Sequence, residues 1–126
     1  MPAVHFPVRN YFKHFRIASF YPGNFVAVLR EARSVRPDVV LLVNHYLDIA
    51  FLAVAAAREL GVPLVTSVGT QLQSADPTRD RVLNVLDRLI CGQAVFRFSD
   101  VIVSWDAEIH RYLSEIHGLA VASKSV

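Results

Sequence analysis

Residues 36–70 read RPDVVLLVNHYLDIAFLAVAAARELGVPLVTSVGT, and this stretch decides the fold. Pro37 disfavours helical geometry in Arg36, so any preceding helix stops there. Val39 to Val43 form an unbroken apolar run, the pattern of a strand covered on both faces, as in parallel sheets. The alanine-rich run that follows favours helix, with Asp48 placed as its cap. Gly61 stands where a helix ends in left-handed geometry, and Val62-Pro63 leads the chain out. Leu64 to Val68 then make a second strand that closes on Gly69-Thr70. Strand, long helix and strand in succession predict two parallel neighbours joined by a crossover.

The same alternation continues on both sides. Upstream, a short extended piece spans Val4 to Val8. It precedes the aromatic and basic segment RNYFKHFRIASFYPGN, which has neither helical nor strand period. Pro22-Gly23 reads as a turn. Asn24 can cap a helix from Phe25 to Val35, with Phe25, Val28, Leu29, Ala32 and Val35 on one face. Downstream, QLQSADPT is a polar loop with Asp76 as cap and Pro77 at the first helical position. A long helix is predicted over Thr78 to Phe98, and a third strand over Asp100 to Ser104. The last helix carries Ile109, Tyr112, Leu113 and Ile116 at helical spacing and stops at Gly118. The tail AVASKSV has no evident partner and is expected to fray. The pattern is α/β: a single Rossmann-like domain over residues 1–126, with α/β/α layers around a mostly parallel sheet.

Composition agrees with a filled interior. Of the 126 residues, 53% are hydrophobic and 19% charged, which excludes a disordered chain. The formal net charge of +2 is unevenly placed. No acid precedes Glu31, while Arg9, Lys13, Arg16 and Arg30 are basic. Such a segment suits either a solvated loop or a local anionic contact, not whole-surface nucleic-acid binding. Cys91 is the single cysteine. It excludes an internal disulfide and a Cys-rich zinc site, and reads as a small core hydrophobe in a reducing compartment. The N-terminus lacks an apolar h-region, so no signal peptide is expected. Asn44, His45 and Asp48 interrupt the apolar stretch from Val39 to Leu60, which argues against a membrane span.

In an open parallel sheet, ligands bind beyond the carboxyl ends of the strands. The strands end at Asn44-His45, Gly69-Thr70 and Ser104-Trp105, so these six residues are the candidate binding site. Each also has a structural reading. Ser104 is most simply an N-cap, and Gly69 can serve a tight turn or a positive φ angle. His45 is placed for proton transfer but equally for a hydrogen-bonded loop. Trp105 can stack on a sugar or base, or pack over the sheet edge. His110 and His117 have no cysteine or carboxylate at ligand spacing, so no metal is expected. No phosphate loop, G-x-G-x-x-G, G-x-S-x-G or paired-carboxylate signature occurs, and no cofactor is expected.

The order RPDVVLLV, AAARELGVPLVTSVGT and SDVIVSWDAEIHRYL resembles the N-terminal, acceptor-side domain of family-4-type GT-B glycosyltransferases. The resemblance covers Phe25 to Leu119. It implies transfer of a sugar from a nucleotide-sugar donor to an acceptor held by this domain. The nucleotide is gripped by a second Rossmann-like domain, here a missing C-terminal domain or a partner chain. The basic segment around Tyr11 to Tyr21 would then meet an anionic membrane surface or lipid-linked acceptor, at the inner membrane face of the cytoplasm. The family's Gly-rich first strand is absent, and the histidine that normally precedes the glycine is Val68. Valine cannot move protons, an ability typically worth about 10²–10⁴-fold. No catalytic residue is therefore assigned, and the chain alone is expected to be inactive. The competing readings are a non-catalytic α/β interaction domain and an anionic-metabolite-binding domain.

A sheet lacking its first strand exposes an unpaired edge. The isolated chain is therefore expected to self-associate as a homo-oligomer or to require a partner chain. Sedimentation showing a stable monomer at high concentration would count against this.

Overall fold

The computed structural model describes residues 9–10, 16–17, 22–46 and 48–126. The extended piece expected at Val4 to Val8, and most of the aromatic basic segment, lie outside the described residues. Within that segment, β1 (Arg9–Asn10) and β2 (Arg16–Ile17) pair antiparallel, with Arg9 opposite Ile17. This pairing departs from the expected lack of regular structure.

Helix α1 spans Pro22–Val35, so the proposed turn and cap both lie inside it. Proline at the first helical position loses no bond, because that N–H has no intrahelical partner in any helix. Asn24 is accordingly a buried helical residue rather than a cap, at 2% exposure. The apolar face expected on α1 is only partly covered, and Val35 remains exposed. The helix packs on α2 (Ile49–Leu60), where Arg33 pairs with Glu59.

Strands β3 (Val40–Val43), β4 (Leu64–Val68) and β5 (Val101–Ser104) form a parallel sheet in the order β3-β4-β5. The observed architecture is thus mixed α/β around a small three-stranded parallel sheet. Gly61 closes α2 at φ 66°, and its N–H bonds the carbonyls of Ala57 and Arg58. Asp48, by contrast, has helical backbone angles, and its side chain forms no cap hydrogen bond. Capping needs an extended backbone at that position.

One face of the sheet carries the core. Leu42, Leu64, Thr66, Val68 and Ile102 point into it and are buried. Leu42 and Leu64 pack with Ala50, Val54 and Ala57 of α2 and with Val95. Val68 and Ile102 pack with Phe96, Ile109, Tyr112 and Leu113. Thr66 satisfies its hydroxyl with Ser99 at 2.7 Å. The opposite face is less covered: Leu41 is 62% and Val43 52% exposed. The reading of Val39 to Val43 as covered on both faces is corrected, because β3 is an edge strand and α1 packs on α2.

The long helix expected to follow β4 begins as α3 (Pro77–Leu86), with Asp76 accepting from the Arg79 N–H at 2.8 Å. It continues as a π-helix over Asp87–Phe96. After β5, Asp106 rather than Ser104 caps α4 (Ala107–Tyr112), accepting from the Ile109 N–H at 2.8 Å. The chain widens again into a π-turn over Leu113–His117 before Gly118. No helix among the described residues is long and apolar enough to cross a membrane.

The tail does not fray. It forms α5 (Leu119–Ala122), and Ser125 then bridges Ile102 in parallel. Backbone bonds link Ile102 to Lys124 and Val126, and Ser104 to Val126. This closes the free edge of β5. The Lys124 ammonium donates to the carbonyls of Phe96, Arg97 and Ser99 at 2.8–3.3 Å, tying the tail to the end of the π-helix. Replacing Lys124 with Ala should cost about 1–2 kcal/mol, as charge-assisted hydrogen bonds are lost from a partly buried site. Urea denaturation of the two proteins measures the difference, and equal midpoints would show that the tail is held by its backbone alone.

Candidate functional site

The strand register levels the three carboxyl ends. Val43 pairs with Ser67, and Val68 pairs with Ser104, so Asn44, Gly69 and Ser104 share one rim. Asn44 leaves β3 at φ 63°, with its N–H bonded to the Ser67 carbonyl at 2.9 Å. Thr70 shares a hydrogen bond with the Tyr46 hydroxyl at 2.9 Å. Trp105 is 67% exposed, and its indole N–H donates to the Ser67 hydroxyl at 2.7 Å. The ring lies on Gly69, where an added Cβ would meet it at 2.9 Å. Close approach of the indole, not a positive φ, is what glycine serves there. Ser104 gives its hydroxyl to the Val126 carbonyl at 3.2 Å and accepts from Ser125 at 2.9 Å.

His45 alone of the six leaves the rim. Its side chain turns inward and is buried, between Phe96 and Tyr112. There it meets a polar cluster that the sequence reading missed. His45 Nε2 lies 3.1 Å from Asp87 Oδ1 and 2.9 Å from the Tyr112 hydroxyl. His117 Nε2 lies 3.2 Å from Asp87 Oδ2 and 3.0 Å from the same hydroxyl. Tyr112 itself donates to Asp87 Oδ2. His117, dismissed for want of a nearby carboxylate in sequence, thus has one in space.

The π-helix builds this arrangement. Its wider turn starts at Asp87 and carries Cys91 on the same side, both of them buried. Gly92 leaves room for the second imidazole, since a Cβ there would stand 3.1 Å from His117 Nδ1. The π-turn over Leu113–His117 brings His117 back beside Tyr112. Phe96 covers both imidazoles, with ring centres 4.7 Å and 4.6 Å away.

Electrostatics follow from this packing. Burial pushes the Asp87 carboxyl up, but hydrogen bonds from His117 and His45, the charge His45 can carry, and Tyr112 outweigh it. Asp87 is held well below the usual carboxylate range. Burial, then the Asp87 charge and its hydrogen bond, push the Cys91 thiol far up. Burial, the hydrogen bond to Asp87, and the charges of Asp87 and Cys91 likewise keep Tyr112 protonated. Neither group is an activated nucleophile.

The network is incomplete at two atoms. His45 Nδ1 and His117 Nδ1 are buried without a hydrogen-bond partner among the described residues. A singly protonated ring that donates through Nε2 leaves a bare lone pair at Nδ1. A doubly protonated ring balances the Asp87 charge but leaves an N–H without an acceptor, at about 1–3 kcal/mol. One ring nitrogen of His45, one Asp87 oxygen and the Cys91 sulfur all lie within 4.8 Å of one another.

Outside the cluster, a polar pocket of about 260 Å³ opens beside the loop after β4. Gln71, Gln73, Ser74, Asp80, Asn84, Glu115 and Ile116 line it, and Tyr112 reaches it from the buried side. Asp80 is held in place by the Ser74 N–H at 2.9 Å and the Asn84 amide at 3.1 Å. Two carboxylates and three carboxamides, with no cation among the lining residues, suit a neutral ligand rich in hydroxyl groups.

A depressed carboxylate stabilises the folded state above its unfolded pKa, about 3.9, and the contribution disappears as pH falls through the folded value. Asp87→Asn should therefore cost about 2–3 kcal/mol near neutral pH. It should also flatten the loss of stability as the pH drops from about 5 to about 3. Equal pH slopes for both proteins in chemical denaturation would assign the acid sensitivity to other carboxylates. Against known proteins, the chain matches no family model, no curated protein and no solved structure.

Proposed function

We propose that this chain is the acceptor-side half of a family-4-like GT-B glycosyltransferase. In that reading it is an incomplete Rossmann-like N-terminal domain. It holds a sugar acceptor while a separate donor domain or partner chain brings the nucleotide-sugar. The observation that carries the proposal is the common rim of Asn44, Gly69 and Ser104 at the carboxyl ends of parallel strands. That edge is where open α/β sheets bind ligands. Trp105 offers an exposed aromatic face there, and the polar pocket lined by Gln71 and Gln73 after β4 offers partners for hydroxyl groups.

The chain's own residues bind and orient in this scheme. Val68 is fully buried in the core, so the position before Gly69 presents nothing to a ligand. Sugar transfer therefore requires the donor half, and the isolated chain is inactive. A cytoplasmic location at the inner membrane face belongs to the same reading. The carboxylates of Asp80 and Glu115 weigh against an anionic metabolite, which they would repel.

Titration of the purified chain with neutral oligosaccharides, followed by melting temperature, tests the proposal. An oligosaccharide should raise it, a phosphorylated metabolite should not, and nucleotide-sugars should bind only when a donor domain is supplied. Trp105→Ala should weaken oligosaccharide binding roughly tenfold, about 1.4 kcal/mol. A shift with the phosphorylated metabolite alone points to the anionic-ligand reading. No shift with any of these ligands points to an interaction domain that retains the fold without the chemistry.

A further inference from the structure

The geometry points to a buried transition-metal site at His45, Asp87 and Cys91, with Zn²⁺ as the ion it would take. The three donor atoms already lie within 4.8 Å of one another and come from two separate elements, the end of β3 and the π-helix. Nitrogen, oxygen and sulfur donors in one set match the borderline-soft character of Zn²⁺, and not Mg²⁺ or Ca²⁺, which take oxygen.

Charge gives the second argument. Without an ion, the cluster holds the Asp87 carboxylate in a fully buried position beside groups that are neutral unless a histidine is doubly protonated. With an ion, the Asp87 carboxylate and a Cys91 thiolate together cancel the two positive charges. The Cys91 proton leaves to solvent, and the buried centre becomes neutral.

The unpartnered atoms give the third. His45 Nδ1 is buried with no hydrogen-bond partner, so the ring has donor capacity left over. It can offer the ion that nitrogen, or Nε2 in exchange for its contact with Asp87. Tyr112 stands against Asp87 and also lines the polar pocket. The π-helical turn that sets Asp87 and Cys91 side by side is a rare geometry that is frequent at functional sites. Phe96 packs on the His45 ring, and an ion held there would fasten the end of β3 to the π-helix.

The test is metal content and cobalt spectroscopy on the purified wild-type chain. Zn²⁺ should be retained in a single equivalent through dialysis. Saturating Zn²⁺ should raise the melting temperature by roughly 10 °C at about a hundredfold excess over Kd. Co²⁺ should produce a thiolate-to-cobalt charge-transfer band, and that band can come only from Cys91, the sole cysteine. Cys91→Ser should abolish the band and the thermal shift, while His110→Ala, at an exposed histidine, should change neither. Wild-type protein that retains no metal and shows no cobalt–thiolate band overturns the proposal, and that result needs no variant to fold. Zn²⁺ stabilisation that survives in Cys91→Ser overturns it as well.

Discussion

A single buried carboxylate, Asp87, organises this domain. It lies at the first turn of the π-helix and receives hydrogen bonds from His45 after β3, Tyr112 at the end of α4 and His117 in the π-turn. Removing such a charge from water is expensive, and only several good partners at once make it tolerable. Three segments distant in sequence must therefore converge before the core can close. The apolar packing around Phe96, Leu113 and Val68 then excludes water from them. Polar convergence sets the arrangement, and hydrophobic burial makes it stable.

This constraint also explains the irregular helices. A regular α-helix places residues four apart on one face, whereas Tyr112 and His117 are five apart and still meet the same carboxylate. The π-turn over Leu113–His117 supplies the extra residue. The longer π-segment over Asp87–Phe96 lets Asp87, Cys91, Val95 and Phe96 all face inward. Each departure from α geometry weakens backbone bonding locally. Here both departures coincide with contacts to the buried charge.

The sheet was legible because its signals are local. The apolar run at Val40–Val43 and the LVTSV run at Leu64–Val68, with Gly61 and the Pro63 exit between them, specify strand, helix and strand without long-range information. The shared rim followed from that alternation. The polar cluster was not legible, because the contacts that Asp87 receives and the one between His45 and Tyr112 join residues 25 to 67 apart in sequence. One local clue existed: Asp87, Cys91 and Val95 fall at intervals of four, so a carboxylate stands on an otherwise apolar stripe. The tail escaped for a different reason. Its pairing with β5 is made by backbone groups, which carry no side-chain signature, so a short stretch of small residues shows no partner in the sequence. His45 shows the limit of rim logic, since Asn44 at φ 63° redirects the chain and sends the next side chain into the core.

The bond from the Ser104 N–H to the Val126 carbonyl has a practical side. Whatever polypeptide is appended after Val126 would leave the molecule next to Ser104, at the mouth where Trp105 and Gly69 meet. An affinity handle or fluorescent reporter fused there would crowd the rim that the proposed acceptor has to reach.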